Sequence, residues 1–214
     1  MVETRSQAPA VPLPPEAEWP ALARDSDEYR KVMLAGRFDH DREVQVFTSL
    51  QDERFDVSGP GWWVMTPLML EDGTAVLVNR GFVPYEFRDP ATRAGAQVEG
   101  EVEITGLMRL PEEGNIFTPD NKPGSRTWYV RDPLAIAAAE GIERAAPFFV
   151  DADATPNPGG LPQGGATRVA FRNDHLGYAV TWFGLAAALV GVYLAWAWSQ
   201  VRRARGLAAG SVRQ

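Results

Sequence analysis

WWVMTPLML (residues 62–70), the turn Glu71-Asp72-Gly73, and AVLVNRGFV (residues 75–83) together decide the fold. Two runs rich in β-favouring residues flank an acidic turn whose Asp-Gly step tolerates positive φ, the short-range signature of a β-hairpin. Outward from this hairpin the same punctuation recurs. Further runs at residues 29–38, 43–50, 98–108, 127–130 and 147–150 are separated by Gly, Pro and acidic turns. Glu43-Val-Gln-Val-Phe47 and Glu101-Val-Glu-Ile-Thr105 alternate polar and apolar residues, so each is expected to form a strand with one wet face. Asp132-Pro133 starts a short helix, with Asp as N-cap and Pro at the first helical position, which stops at Gly141. Residues 1–28 read as an irregular, Pro-rich lead-in with one helical turn near residues 16–24. The spacing suggests a small antiparallel barrel or curled sheet and not a βαβ nucleotide fold.

Charge along the chain is uneven. LGYAVTWFGLAAALVGVYLAWAW (residues 176–198) is a run of 23 residues without a charge. At 1.5 Å per residue it spans roughly 35 Å, enough to cross a hydrocarbon core of about 30 Å. Tyr178 and Trp182 stand near one end and Tyr193, Trp196 and Trp198 near the other, as interfacial belts do. Gly184, Ala188, Gly191 and Ala195 line one side of this helix, a stripe suited to close packing with a second helix. The fold class predicted is therefore α+β: a mainly antiparallel β-sheet or small barrel with short helices, plus one C-terminal transmembrane helix. The domains expected are a lead-in over 1–28, a β-rich extracytoplasmic domain over 29–172, the membrane helix over 173–200 and a basic tail over 201–214.

That tail carries Arg202, Arg203, Arg205 and Arg213 and no acid, whereas the residues before the helix net −11. The positive-inside rule puts the tail in the cytoplasm and the acidic domain across the membrane, which in a bacterium is the periplasm of the inner membrane. Residues 1–30 hold no hydrophobic export segment. Two accounts follow: a tail-anchored chain with a cytoplasmic domain, or a chain whose upstream helix is missing. The second is favoured.

Composition excludes several chemistries. With no Cys among 214 residues there is no disulfide framework, Cys zinc site or iron–sulfur cluster. A net charge of −7 argues against nucleic acid as partner. No phosphate loop, GxGxxG, HExxH or GxSxG is present. Of the two histidines, His40 lies in an acidic turn and reads as a solvated loop residue, so the chain reads as a non-enzyme.

His175 is the last ionisable residue before the uncharged run. A neutral imidazole at a membrane surface can ligate a haem iron, and Arg168 and Arg172 nearby could pair with propionates. The spacing alone favours an interfacial histidine or a helix cap alongside Asn173 and Asp174.

Val78-Asn79-Arg80-Gly81-Phe82-Val83-Pro84 resembles the VNRGW[VI]P segment of the surfeit-locus cytochrome c oxidase assembly family (Shy-type). Asn115-Ile-Phe-Thr-Pro-Asp120-Asn121, Trp128-Tyr-Val-Arg-Asp132 and Pro158-Gly-Gly-Leu-Pro162 are similar to later stretches of it. Asn173-Asp174-His175-Leu176-Gly177-Tyr178-Ala179-Val180-Thr181-Trp182 is similar to its [ND]HLxYAxTW signature. These motifs fall in order over residues 29–198. Family members usually carry two transmembrane helices, and the first has no counterpart in this sequence.

The resemblance implies a membrane-anchored assembly factor that binds haem a and assists its insertion into the large subunit of cytochrome c oxidase. Its partners would be that subunit, the haem a synthesis machinery and the lipid bilayer. His175 would be the iron ligand, with Arg172, Tyr178, Trp182 and Arg80 around the cofactor. A scaffold that stabilises an oxidase intermediate without haem is the alternative. For Asn79-Arg80-Gly81 two readings stand: a bulge at Gly81 with Arg80 in a buried ion pair, or Arg80 binding a propionate or the oxidase.

Overall fold

The acidic turn closes as its composition predicts. Gly73 takes φ +80°, and Leu70 N–H and Gly73 N–H donate to Thr74 O and Leu70 O at 2.9 and 3.1 Å. Asp72 Oδ1 accepts from Thr74 Oγ1 at 2.6 Å and Thr74 N at 2.8 Å, and these bonds hold its carboxyl below the usual carboxylate range. The structure, a computed structural model, describes residues 2–51, 57–165 and 175–210. The chain divides into two units, residues 1–169 and 170–214.

Among its described residues the first unit holds eight strands: β1 Val11–Pro12, β2 Lys31–Phe38, β3 Val44–Leu50, β4 Gly59–Met69, β5 Ala75–Pro84, β6 Glu101–Arg109, β7 Thr127–Trp128 and β8 Ala145–Ala152. Their order is β1-β2-β6-β8-β5-β4-β3-β7, and β2 also pairs with β4. The extra pairing, Arg37 with Met69 and Phe38 with Leu68, closes β2, β6, β8, β5 and β4 into a five-stranded barrel. Gly36 permits the closure, because a Cβ there would lie 2.4 Å from Met69 O. The pairings are mainly antiparallel, as expected from the sequence. Three are parallel: β1 with β2, β3 with β7, and β5 with β8. The β5–β8 pair arises because β8 is reached through a crossover that carries a helix, Pro133–Glu140, which we label α1.

Asp132 caps α1, accepting from Leu134 N and Ala135 N at 3.1 Å each, and Gly141 ends it at φ +68°. Val32, Leu34, Leu68, Val76, Val78, Met108, Phe148 and Val150 fill the barrel. Ile136 of α1 covers the other face with Leu77, Phe149, Val44, Val46, Met65 and Trp128. Strand β5 is thus buried on both faces, which explains its nearly unbroken apolar run. Within residues 1–28, Val11, Leu13, Trp19 and Leu22 pack against the barrel cluster, and Val11–Pro12 adds a strand the sequence pattern does not announce.

One expectation needs correction. The polar side of Glu43-Val-Gln-Val-Phe47 is not wet: Glu43 and Gln45 are 2% and 6% exposed. The segment Pro90–Ala96 supplies Arg93 to that side, and a buried arginine replaces water as partner. On β6 the same alternation does give a wet face, with Glu101 and Glu103 exposed.

The second unit is a single described helix, α2, His175–Gly210. Its segment Ala179–Trp198 is long and apolar enough to cross a membrane, and none of it is packed inside the protein. Trp182, Phe183, Leu189, Tyr193 and Trp196 are all exposed, unlike the core helix of a soluble protein. The helix fits a membrane anchor.

Two outcomes are expected. Gly36→Val forces β2 and β4 apart and lowers stability by about 1–3 kcal/mol, read as a reduced urea midpoint with early hydrogen exchange at Phe38 and Met69. Leu189→Arg adds about 3 kcal/mol to insertion of the helix, seen as chain lost from the carbonate-washed membrane pellet.

Candidate functional site

Between Trp63–Phe82 and Met65–Asn79 the pairing of β4 with β5 shifts by one residue, so β5 carries a bulge at Arg80–Gly81. Gly81 sits at φ +130°, and a Cβ there would stand 2.2 Å from Gln163 O. Only glycine admits both the backbone conformation and the close strand-like contact of Phe82 with Gln163, whose two N–H···O bonds are 2.9 and 2.8 Å. Asn79 fixes the bulge from within, its Oδ1 accepting from Gly81 N at 3.1 Å. The bulge reading of this loop holds.

Among the described residues Arg80 makes no ion pair. Its side chain is 2% exposed and carries the Val76–Val78 side of β5 towards the end of the barrel. Nη2 donates to Ala96 O and to Asn157 Oδ1, the latter at 3.3 Å, while the guanidinium carbon lies 4.8 Å from the centre of the Phe38 ring. Among the described residues Nε and Nη1 are buried with no acceptor. The nearby carboxylate, Glu43, is already bound by Arg93 through both guanidinium Nη atoms, one at 3.2 Å, and by Gln45 Nε2 at 3.1 Å. Burial pushes the pKa of Arg80 down to about 10, with Glu43 opposing and Arg93 adding to the fall. The group stays cationic at neutral pH.

Arg80 borders a cavity of about 250 Å³ walled by Phe38, Val78, Val102, Ile104, Ala152 and Pro156. Two motif segments meet here. Asn157 Nδ2 donates to Arg80 O at 3.2 Å and to Pro162 O at 2.5 Å, tying the Gly/Pro stretch to the bulge.

A second charged cluster, missed by the sequence reading, supports the first. Asp151 of β8, 2% exposed, accepts from Asn79 Nδ2 at 2.7 Å, Arg109 Nη1 at 2.9 Å and Arg131 Nη1 at 3.0 Å. Glu112 binds Arg131, with one contact at 3.0 Å, and Glu28 lies 3.5 Å from Arg109. Burial works against the charge on Arg131, and Asp151 and Glu112 outweigh it, holding its pKa above the ordinary arginine value. Nothing in an isolated Asp or Arg marks such a cluster; the one signal was charge inside otherwise apolar strand runs.

Trp182 lies on α2 with 69% of its surface exposed. His175 opens that helix and Tyr178 follows on it. The side chains of His175 and Tyr178 lie outside the described residues, as do Arg168 and Arg172 altogether. Arg80 belongs to the other unit. His40 is half-buried, its Nε2 3.0 Å from Val98 O, a structural contact in place of the solvated loop expected. Among the described residues no group of three His, Asp or Glu could hold a metal ion.

The sequence matches the profile described as the SURF1 family over residues 1–187. It is similar to Surfeit locus protein 1 of Rattus norvegicus, 38% identical over 96% of this chain and 67% of that protein. The Homo sapiens protein of the same name is 40% identical over 87% of this chain and 64% of its own length. A SURF1-like protein of Drosophila melanogaster is 41% identical over 75% of this chain and 56% of its own. The chain thus spans about two thirds or less of the length of these relatives.

Asp151→Asn keeps volume but leaves two buried guanidinium groups short of charge. The expected loss is about 3–5 kcal/mol, measured by thermal or denaturant unfolding of the detergent-purified chain.

Proposed function

This chain belongs to the SURF1 family, and from that membership we propose that it is a membrane-anchored assembly factor for cytochrome c oxidase. In this reading it binds haem a and assists its transfer into the large oxidase subunit, and performs no catalysis of its own. The observation that carries the proposal is the match over residues 1–187, which runs through the His175 motif into an apolar helix.

The chemistry of the residues fits a haem held at α2 and not inside the barrel. The cavity at Arg80, about 250 Å³, is below the ~300–1,000 Å³ of sites for drug-sized ligands, so the macrocycle does not enter it. Exposed Trp182, Phe183 and Leu189 offer the apolar surface that a porphyrin face needs. His175 would supply a neutral imidazole nitrogen to the iron, Arg172 would meet a propionate, and Tyr178 and Trp182 would flank the ring. Haem a itself supplies the redox-active iron that the oxidase requires. The excess of acidic residues before the helix and the arginine tail after it favour a domain on the outer face, periplasmic in a bacterial inner membrane, with the tail cytoplasmic.

The test is the visible spectrum of the detergent-purified protein co-expressed with haem a synthesis. Wild type is expected to show Soret and α bands that His175→Ala loses, while the far-ultraviolet circular dichroism of the β domain is unchanged. A colourless wild-type protein that still co-purifies with oxidase subunits would overturn the haem assignment and leave a scaffold role.

A further inference from the structure

Between β6 and β7 the chain runs through Glu112-Glu-Gly-Asn-Ile-Phe-Thr-Pro-Asp-Asn121, a loop fastened to the barrel at both ends. Glu112 N donates to Arg131 O at 3.1 Å, and its carboxylate accepts from Arg131 Nε at 3.0 Å. At the other end Asn121 Oδ1 accepts from Tyr129 N at 2.9 Å. Between these ties the loop closes on itself. Asn115 N donates to Thr118 Oγ1 at 2.8 Å, Phe117 N to Asn115 Oδ1 at 2.8 Å, and Thr118 N to Asn115 O at 2.9 Å. None of these bonds uses the side chains of Ile116 and Phe117, which are 90% and 87% exposed. The next most open large apolar side chain described in this unit, Tyr85, is 59% exposed. The same turn would close around polar residues, so folding does not account for the pair. Adjacent large apolar side chains held out in water on a braced loop mark a contact surface.

We propose that Ile116 and Phe117 are a docking anchor for another protein, one that offers an apolar pocket rimmed by lysine or arginine. The charges beside the pair select that occupant. Glu113 stands three residues before Ile116 and Asp120 three after Phe117, with no charge between them. Both are exposed, and neither has an ion pair among the described residues. Glu112 is already held by Arg131, so Glu113 and Asp120 against Lys122 leave the segment one charge negative. A cationic rim answers the two carboxylates while the pocket takes up the two side chains. An anionic lipid surface is disfavoured, because it would repel the same carboxylates. A second copy of this chain is disfavoured too, since the residues before α2 net −11. A few large side chains seated in a closed pocket carry most of the binding energy of an interface. The bracing lowers the cost of association, because the backbone that carries the anchor is ordered before the partner arrives. That a partner protein exists rests on the assembly-factor reading; the choice of this loop as the surface that meets it does not.

The test is photo-crosslinking of the full chain, with Phe117 replaced by benzoylphenylalanine, in the membranes of cells that also make the oxidase subunits. The expected adduct joins residue 117 to a different protein, at a peptide whose apolar residues stand beside Lys or Arg. Ile116→Ser is expected to cut the adduct yield at least tenfold, and Glu113→Lys with Asp120→Lys at least threefold. These side chains are exposed, so each variant is expected to keep the circular dichroism of the wild type. No adduct, an adduct to lipid or to a second copy alone, or a yield unmoved by the charge reversal would overturn the anchor. Co-purification of the wild-type chain with oxidase subunits keeps the two readings apart. Subunits brought down without a protein adduct at residue 117 sink the anchor and leave the assembly reading standing. The expected adduct without any subunit brought down upholds the anchor and fails that reading.

Discussion

The carboxylate of Asp151 is the charge on which the barrel is assembled. It sits on β8, between β5 and β6, and takes a hydrogen bond from Asn79 of β5, an ion pair from Arg109 of β6 and another from Arg131 just before α1. Arg131 and Arg109 also approach the ring of Phe149, their guanidinium carbons 4.8 and 5.9 Å from its centroid. Four separate stretches of chain are therefore indexed to one buried side chain. A single acid among donors of this kind gains more than its isolated pairs would, because each contact fixes the geometry of the next. The same Asn79 that donates to Asp151 accepts from Gly81, so the bulge that aims Arg80 is fastened to the barrel's central ion pairs.

The two buried charge clusters differ in closure. Around Asp151, Arg109 and Arg131 find Glu112 and Glu28 as well, and Arg24 binds Glu28 in turn, so three charges of each sign balance. Around Arg80, among the described residues, the carboxylate that acts on it, Glu43, is already held by Arg93. What the described residues give Arg80 instead is two hydrogen bonds through Nη2 and the face of the Phe38 ring.

Much of the first unit is legible in the chain because local signals agree with the fold. Asp72-Gly73 sets a turn, Asp132-Pro133 a helix start, Gly141 its end, and each β-favouring run between punctuating residues becomes a strand. The parallel pairing of β5 with β8 was not legible, because strand direction depends on a crossover and not on any local pattern. The burial of Glu43 was hidden for a similar reason. Its partner Arg93 lies fifty residues away, in a segment that reads as polar and irregular, and alternation cannot distinguish water from a covering arginine. For the bulge, Asn-Arg-Gly was a fair signal, since glycine is needed at Gly81; that Arg80 would pair with no acid among the described residues was not visible until the strands were laid side by side.

Of the described strands β8 is the last to be synthesised, yet it occupies the middle of the barrel, with β6 on one edge and β5 on the other. Until Ala145–Ala152 is available, β5 and β6 each keep an open edge of unpaired N–H and C=O groups, and Val76, Val78 and Met108 lack Phe148 and Val150 as cover. Any message cut short before residue 145 therefore yields no smaller stable domain. Such a product would be a sticky set of strands with two exposed edges, suited to aggregation or proteolysis. Folding of this unit is accordingly all-or-none with respect to chain completion, and the barrel cannot tolerate loss of its late strand by fraying as a sheet with β8 at its margin could.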